Sequence, residues 1–223
     1  MEGMNEFRVG DTLLLIHQSI RRGVHMSSLY SRIFSRCGLP DGKLRPGFAD
    51  YVRSLVSVLQ AHHRGEDELV FPRFQELLPE APYDVLAGQH LQLAPLLDEI
   101  RLKIDRAVED EVSRESLQRL DVLLAELAEI WQPHIALEEV HFSTAKIDSV
   151  MDAETQARFL TEMTDLNQKH SKPDYLVVPF TLFNLPQEDR AYVSNLMPPV
   201  ITQQLIPVSW KEKWRPMSPF LLV

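Results

Sequence analysis

The sequence predicts an all-α fold, an up-down-up-down four-helix bundle over residues 1–150 with an additional helix and a proline-rich C-terminal extension over 151–223. Three observations predict it. Four long stretches repeat their apolar residues at helical period. The connections between them are short and rich in proline, glycine or charge, as antiparallel neighbours require. Beyond residue 172 the pattern stops, because eight of the 15 prolines lie there.

Helix one runs from Asp11 to about residue 36 on Leu13, Ile16, Ile20, Val24, Leu29 and Ile33, and the turn residues Gly38-Leu39-Pro40-Asp41-Gly42 close it. Helix two spans about 46–78. Pro46 suits its first turn, Leu55, Leu59, Leu69, Val70 and Phe74 share the side of His62 and Glu66, and Pro72 is expected to kink it near its end. Helix three, about 83–108, places Leu93, Leu97 and Ile100 in phase with His90. Helix four, about 113–145, follows the acidic run Glu109-Asp110-Glu111 and carries Leu120, Leu123, Leu124, Leu127, Ile130 and Leu137. Within it Pro133 removes a backbone hydrogen bond one residue before His134, a local cost that functional sites often carry. A shorter helix follows at about 152–170. The segment 173–223, with one short helix at about 187–196, carries too much apolar surface to stay in water. Tyr175, Phe180, Phe183, Trp214 and Phe220 must pack on the bundle or on a second copy of the chain, so a homodimer through the extension is one expectation.

The net charge of −9 argues against nucleic-acid and anionic-membrane partners, which a basic excess would meet. The N-terminus lacks the basic-then-apolar layout of a secretion signal, and no run of about 18 apolar residues is present to span a bilayer. A lone cysteine makes no intramolecular disulfide. A cytoplasmic protein is expected, with Cys37 a buried or half-buried structural thiol. Lys211, Lys213 and Arg215, interleaved with Trp210 and Trp214, read in an acidic chain as an amphipathic packing segment.

The pattern that carries chemistry is a histidine four residues before a glutamate, and it occurs twice: His62 with Glu66, and His134 with Glu138. At about 3.6 residues per turn each pair shares one helix face. Two such pairs facing one another suit a dinuclear metal site, since a carboxylate bridges two cations while imidazoles terminate them. Without cations, imidazoles and carboxylates buried at one level are costly. Helix three offers only His90. On helix one, His17 lies among Leu13, Leu14, Leu15 and Ile16, whereas His25 has polar neighbours, so His17 is chosen. The candidate metal ligands are therefore His17, His62, Glu66, His90, His134 and Glu138. His63, about 100° around the helix from His62, is expected to point elsewhere and reads, with His25 and His170, as a surface or supporting group. His141 reads as a supporting or alternative ligand, with a structural role the plainer reading. Asp67, Glu68 and Glu139 read as solvated acids. Mixed imidazole and carboxylate ligation suits iron, manganese or zinc, and bridging carboxylates within a bundle favour two iron ions.

With these residues in place the chain resembles the hemerythrin-like domains. Their signature is a histidine on helix one, His-x-x-x-Glu on helix two, a histidine on helix three, and a histidine with a trailing carboxylate on helix four. The run His-His-Arg-Gly-Glu-Asp-Glu-Leu-Val-Phe-Pro at residues 62–72 is especially similar, and the resemblance covers roughly residues 9–145. It implies a four-helix bundle around a non-haem di-iron centre that binds dioxygen or responds to iron and redox state. Hemerythrins that carry oxygen reversibly have a second histidine one turn after the helix-three ligand, and here that position is Ala94. Six ligands then remain, with His17 and His62 on one iron, His90 and His134 on the other, Glu66 and Glu138 bridging, and open positions on both metals. The implied function is binding of dioxygen or a related small oxidant in oxygen or redox sensing, iron handling or detoxification. The alternative is a di-iron oxidase or oxygenase acting on a small organic substrate, with the extension as the wall or lid of its pocket. The histidine-rich ligand set argues against that alternative. A third class is an interaction module in which the metal is only structural.

Overall fold

The computed structural model describes residues 8–38, 44–107 and 114–223. The turn expected after Gly38 and the acidic run at 109–111 lie outside the described residues. Among the described residues the elements are all helical. They are α1 (Val9–Cys37), α2 (Leu44–Gly65), a π-helical segment (Glu66–Val70), α3 (Phe71–Leu77), α4 (Tyr83–Ala107) and α5 (Arg114–His141). Then follow α6 (Thr144–Val150), α7 (Ala153–His170), α8 (Asp174–Phe183), α9 (Gln187–Leu196), a π-helical segment (Ile201–Ser209), α10 (Lys211–Trp214) and a 3-10 segment (Arg215–Phe220). Among the described residues no helix is long and apolar enough to cross a membrane.

The four long helices enclose one core, because α1 lies against α2 and α5, and α4 lies against the same two. Ile20, Val24, Leu55, Leu59, Leu93, Leu97, Leu124 and Leu127, all placed inward by helical phase, are buried there. On α1 the expected stripe drifts. Leu29 and Ile33 are exposed, and Ser27 and Ser31 face inward in their place. Small side chains let α1 approach α5 closely, and the Ser28 hydroxyl donates to the Leu124 carbonyl at 3.1 Å. Helix α1 ends where Gly38 takes a φ of 84°, and Cys37 beside it is exposed rather than buried.

Helix two is not continuous to a kink at Pro72. The α-helix stops at Gly65, and the Phe71 N–H reaches five residues back to the Glu66 carbonyl. Pro72 has no N–H to return to the Glu68 carbonyl, so the chain changes register before it rather than at it. Helix four also stops short of the expected residue 145. It ends at His141, Ser143 is extended, and α6 restarts on the Ser143 carbonyl, which accepts from the N–H groups of Lys146 and Ile147.

The C-terminal segment holds more helix than its prolines predict. Pro179 sits inside α8, and Pro219 inside the 3-10 segment. Burial outweighs the lost hydrogen bonds: α8 packs on α1 and α2, and the 3-10 segment packs on α2. Gly47 permits the latter approach, since a Cβ there would lie 1.9 Å from the Pro216 carbonyl oxygen. The Tyr51 hydroxyl donates to Asn184 Oδ1 at 2.7 Å, and Arg22 donates to the same oxygen and to the Phe220 carbonyl. Trp214 is buried with its indole N–H on the Ile206 carbonyl, while Lys213 lies over the Tyr175 ring. The apolar side chains of Phe180, Trp214 and Phe220 are thus covered by their own chain.

Candidate metal centre

Five histidines and two glutamates converge in the core. Helix α1 contributes His17, α2 contributes His62 and His63, the π-helical segment begins with Glu66, α4 contributes His90, and α5 contributes His134 and Glu138. All seven are buried, and His17, His134 and Glu138 are fully enclosed. Three overlapping sets, His17–His62–Glu66–Glu138, Glu66–His90–His134–Glu138 and His63–His90–His134, each bring one donor atom per residue within 4.8 Å of the others.

The two carboxylates join the sets. Glu66 turns Oε1 to His62 Nε2 at 3.2 Å and Oε2 to His90 Nε2 at 3.5 Å. Glu138 turns Oε2 to His17 Nε2 at 3.1 Å and Oε1 to His134 Nε2 at 3.6 Å. Each glutamate therefore spans from one pair of imidazoles to the other, the placement a bridging carboxylate takes between two cations.

The far side of three of the rings is held by a residue outside this set. His17 Nδ1 donates to Glu139 Oε1 at 3.3 Å, which also accepts from Arg21 at 2.9 Å. His90 Nδ1 donates to Asp67 Oδ1 at 2.8 Å, and His134 Nδ1 donates to Gln89 Oε1 at 3.0 Å. A carboxylate or amide oxygen only accepts, so in the neutral ring the proton sits on Nδ1 and the Nε2 lone pair faces the centre. Histidines that bind metals are commonly oriented in this way.

Burial dominates the electrostatics. It pushes His62 and His63 well below the ordinary imidazole range, reinforced by neighbouring histidines, and pushes His134 down to about 4. It pushes Glu66 well above the ordinary carboxylate range, with the charge of Glu138 adding to it. Burial also opposes charge on His17, but Glu138 and Glu139 outweigh it and leave that imidazole raised. The His17 hydrogen bond in turn holds Glu139 below its ordinary value. The donors have few other partners. Nε2 of His17, His62 and His63 and all four carboxylate oxygens of Glu66 and Glu138 are buried without a hydrogen bond. Orphaned polar atoms of this kind are rare in proteins. Seven of them around one volume, all imidazole or carboxylate, fit a pair of divalent cations.

The six residues expected from the sequence lie together here, and His63 joins them as a correction. Its ring is buried and stacks on His90 at 4.2 Å between centroids. The 100° step from His62 does not carry it out of the site, because α2 passes across the middle of a wide cluster. His62 faces the His17 side and His63 faces the His90 and His134 side. Ala94, in place of a second helix-three histidine, lines a cleft with His63 and His90. Asp67 and Glu139 are corrected likewise, since they hold imidazoles instead of being merely solvated, and no pattern in the sequence marks Gln89 for the same role. The signal for Asp67 was the Phe-Pro pair that forces the π-helical register on the preceding turn. His141 stands outside the cluster, His25 is exposed, and His170 bonds Arg64 at 3.1 Å. Trp131 is fully buried with rings of His17, His62, His63 and His134 around it at 5.5–5.9 Å.

Comparison with known families gives a match to the model described as hemerythrin HHE cation binding domain over residues 9–145. No curated protein and no solved structure matches the chain.

Proposed function

The chain belongs to the hemerythrin HHE cation-binding domain family, and on that premise we propose that its four-helix bundle holds a non-haem di-iron centre that binds dioxygen or a related small oxidant. His17 and His62 would hold one iron and His63, His90 and His134 the other, with Glu66 and Glu138 shared between them. The observation that carries this reading is the pairing of each glutamate with one imidazole from either side, at 3.1–3.6 Å. When bound, a pair of irons supplies a redox-active Lewis-acid centre. The residues do the rest: Glu139, Asp67 and Gln89 keep the Nε2 lone pairs inward, and the surrounding apolar core excludes bulk water. Oxygen or redox sensing, iron handling or detoxification in the cytoplasm are the roles this chemistry fits.

One observation favours a second reading, a di-iron oxidase or oxygenase. His62 and Glu66 line an apolar cavity between the long helices and the C-terminal segment. The test is the optical spectrum of iron-loaded protein, reduced without oxygen and then exposed to air. Bands that bleach on reduction and return in air support an oxidant-binding centre. A spectrum indifferent to both steps contradicts it.

A further inference from the structure

The cavity beside His62 and Glu66 has a volume of about 280 Å³. Its inner wall comes from α1 and α2, including Leu15, Ile16 and Val58, and its outer wall from α7, α8 and α9, including Met163, Asn167 and Val193. Asn167, Ser171, Thr181 and Val193 also line a groove of about 1010 Å³, which continues the cavity towards solvent. Asn167 lines the cavity, and its side-chain amide oxygen is buried with no hydrogen-bond partner. That oxygen sits close against Gly65, one residue before Glu66, where a Cβ would come within 3.3 Å of it.

We propose that this cavity binds a neutral apolar molecule carrying one hydrogen-bond donor, with the donor on Asn167 Oδ1 and the molecule therefore beside the Glu66 face of the centre. At roughly 30 Å³ for each water-sized group, the volume holds about nine non-hydrogen atoms. The aliphatic walls disfavour a charged ligand. A buried carbonyl oxygen calls for a donor, which a hydroxyl or primary amide on the ligand supplies. Dioxygen alone requires neither the volume nor the acceptor. The inference rests on the di-iron reading only in naming the substrate class of that centre; the cavity is lined mostly by apolar side chains, with His62 and Glu66 at its metal-facing edge.

The test uses 1-octanol, titrated calorimetrically into the full iron-loaded chain, with iron content measured on the same sample. Saturation at one octanol per chain is expected. Val193→Trp fills the outer wall away from the metal ligands and should weaken binding at least tenfold with iron content unchanged. Asn167→Leu removes the acceptor and should weaken it about two- to tenfold. No saturable binding by the parent chain, or an unaltered affinity in a folded Val193→Trp variant, overturns the proposal. A parent chain that takes up no iron contradicts the metal reading instead, and its octanol titration still decides the cavity.

Discussion

His90 and His134 aim their Nε2 atoms at each other across 3.2 Å, while their Nδ1 atoms are held by Asp67 and Gln89. With both protons on Nδ1, two lone pairs face each other and repel unless a positive charge lies near them. A proton on His134 does not serve at neutral pH, because burial pushes that imidazole down to about 4. A metal cation held between the rings would, with the Glu66 and Glu138 oxygens supplying the balancing negative charge.

Removal of His63 separates the two halves of the centre. His63→Ala should lower iron content from about two to about one per chain, because His63 lies with His90 and His134 and away from His17. Elemental analysis of the purified variant checks this, and an unchanged iron content would return His63 to a packing role.

Glu66→Gln keeps the shape of a side chain whose carboxyl is pushed well above the ordinary carboxylate range by burial and by the charge of Glu138. Thermal unfolding of the metal-free variant should show stability unchanged or raised by about 1 kcal/mol, since a buried ionisable group is replaced by an isosteric neutral one. Iron occupancy should fall sharply in the same variant. A metal-free protein made several kcal/mol less stable would show that Glu66 is structural.

Metal uptake should strengthen as pH rises. Glu66 and His17 both have raised folded values, so each keeps a proton in the metal-free chain above its ordinary range and must release it to face a cation. His62, His63 and His134 have lowered values, are already neutral at pH 7, and release none. The gain in affinity therefore extends above the ordinary carboxylate range and past 6.5, the unperturbed histidine value, through His17. Calorimetric metal titrations at pH 7 in two buffers of different ionisation enthalpy should record net proton release; zero release or net uptake would contradict the protonation states assigned here.

Gly47→Ala tests the seating of the C-terminal segment. Its Cβ would meet the Pro216 carbonyl oxygen at 1.9 Å, so the 3-10 segment must shift from α2. A loss of about 1–3 kcal/mol is expected in chemical denaturation. Near-parental stability would mean that this contact yields without strain.

The spacing of the long helices and the six expected residues was legible because both depend on one local rule, the 3.6-residue period that sets His62 above Glu66 and His134 above Glu138. What stayed hidden depends on tertiary placement. The 100° step along one helix points His63 away from His62, although a centre wide enough for two cations accepts neighbouring residues from a helix crossing its middle. Asp67 reaches His90 from the π-helical segment, which a uniform period does not describe. Proline content hid α8, where packing on α1 and α2 outweighs the hydrogen bond lost at Pro179. Leu29 and Ile33 fit the helical phase yet are exposed, and Ser27 and Ser31 are buried in their place.

The most direct measurement is iron per chain, by elemental analysis of protein purified from iron-supplemented cells and of the Glu138→Ala variant beside it. About two irons per chain are expected in the parent and a loss of stoichiometric iron in the variant, because Glu138 faces both His17 and His134. A parent chain without bound iron, or a variant that retains both, would contradict a carboxylate-bridged di-iron centre.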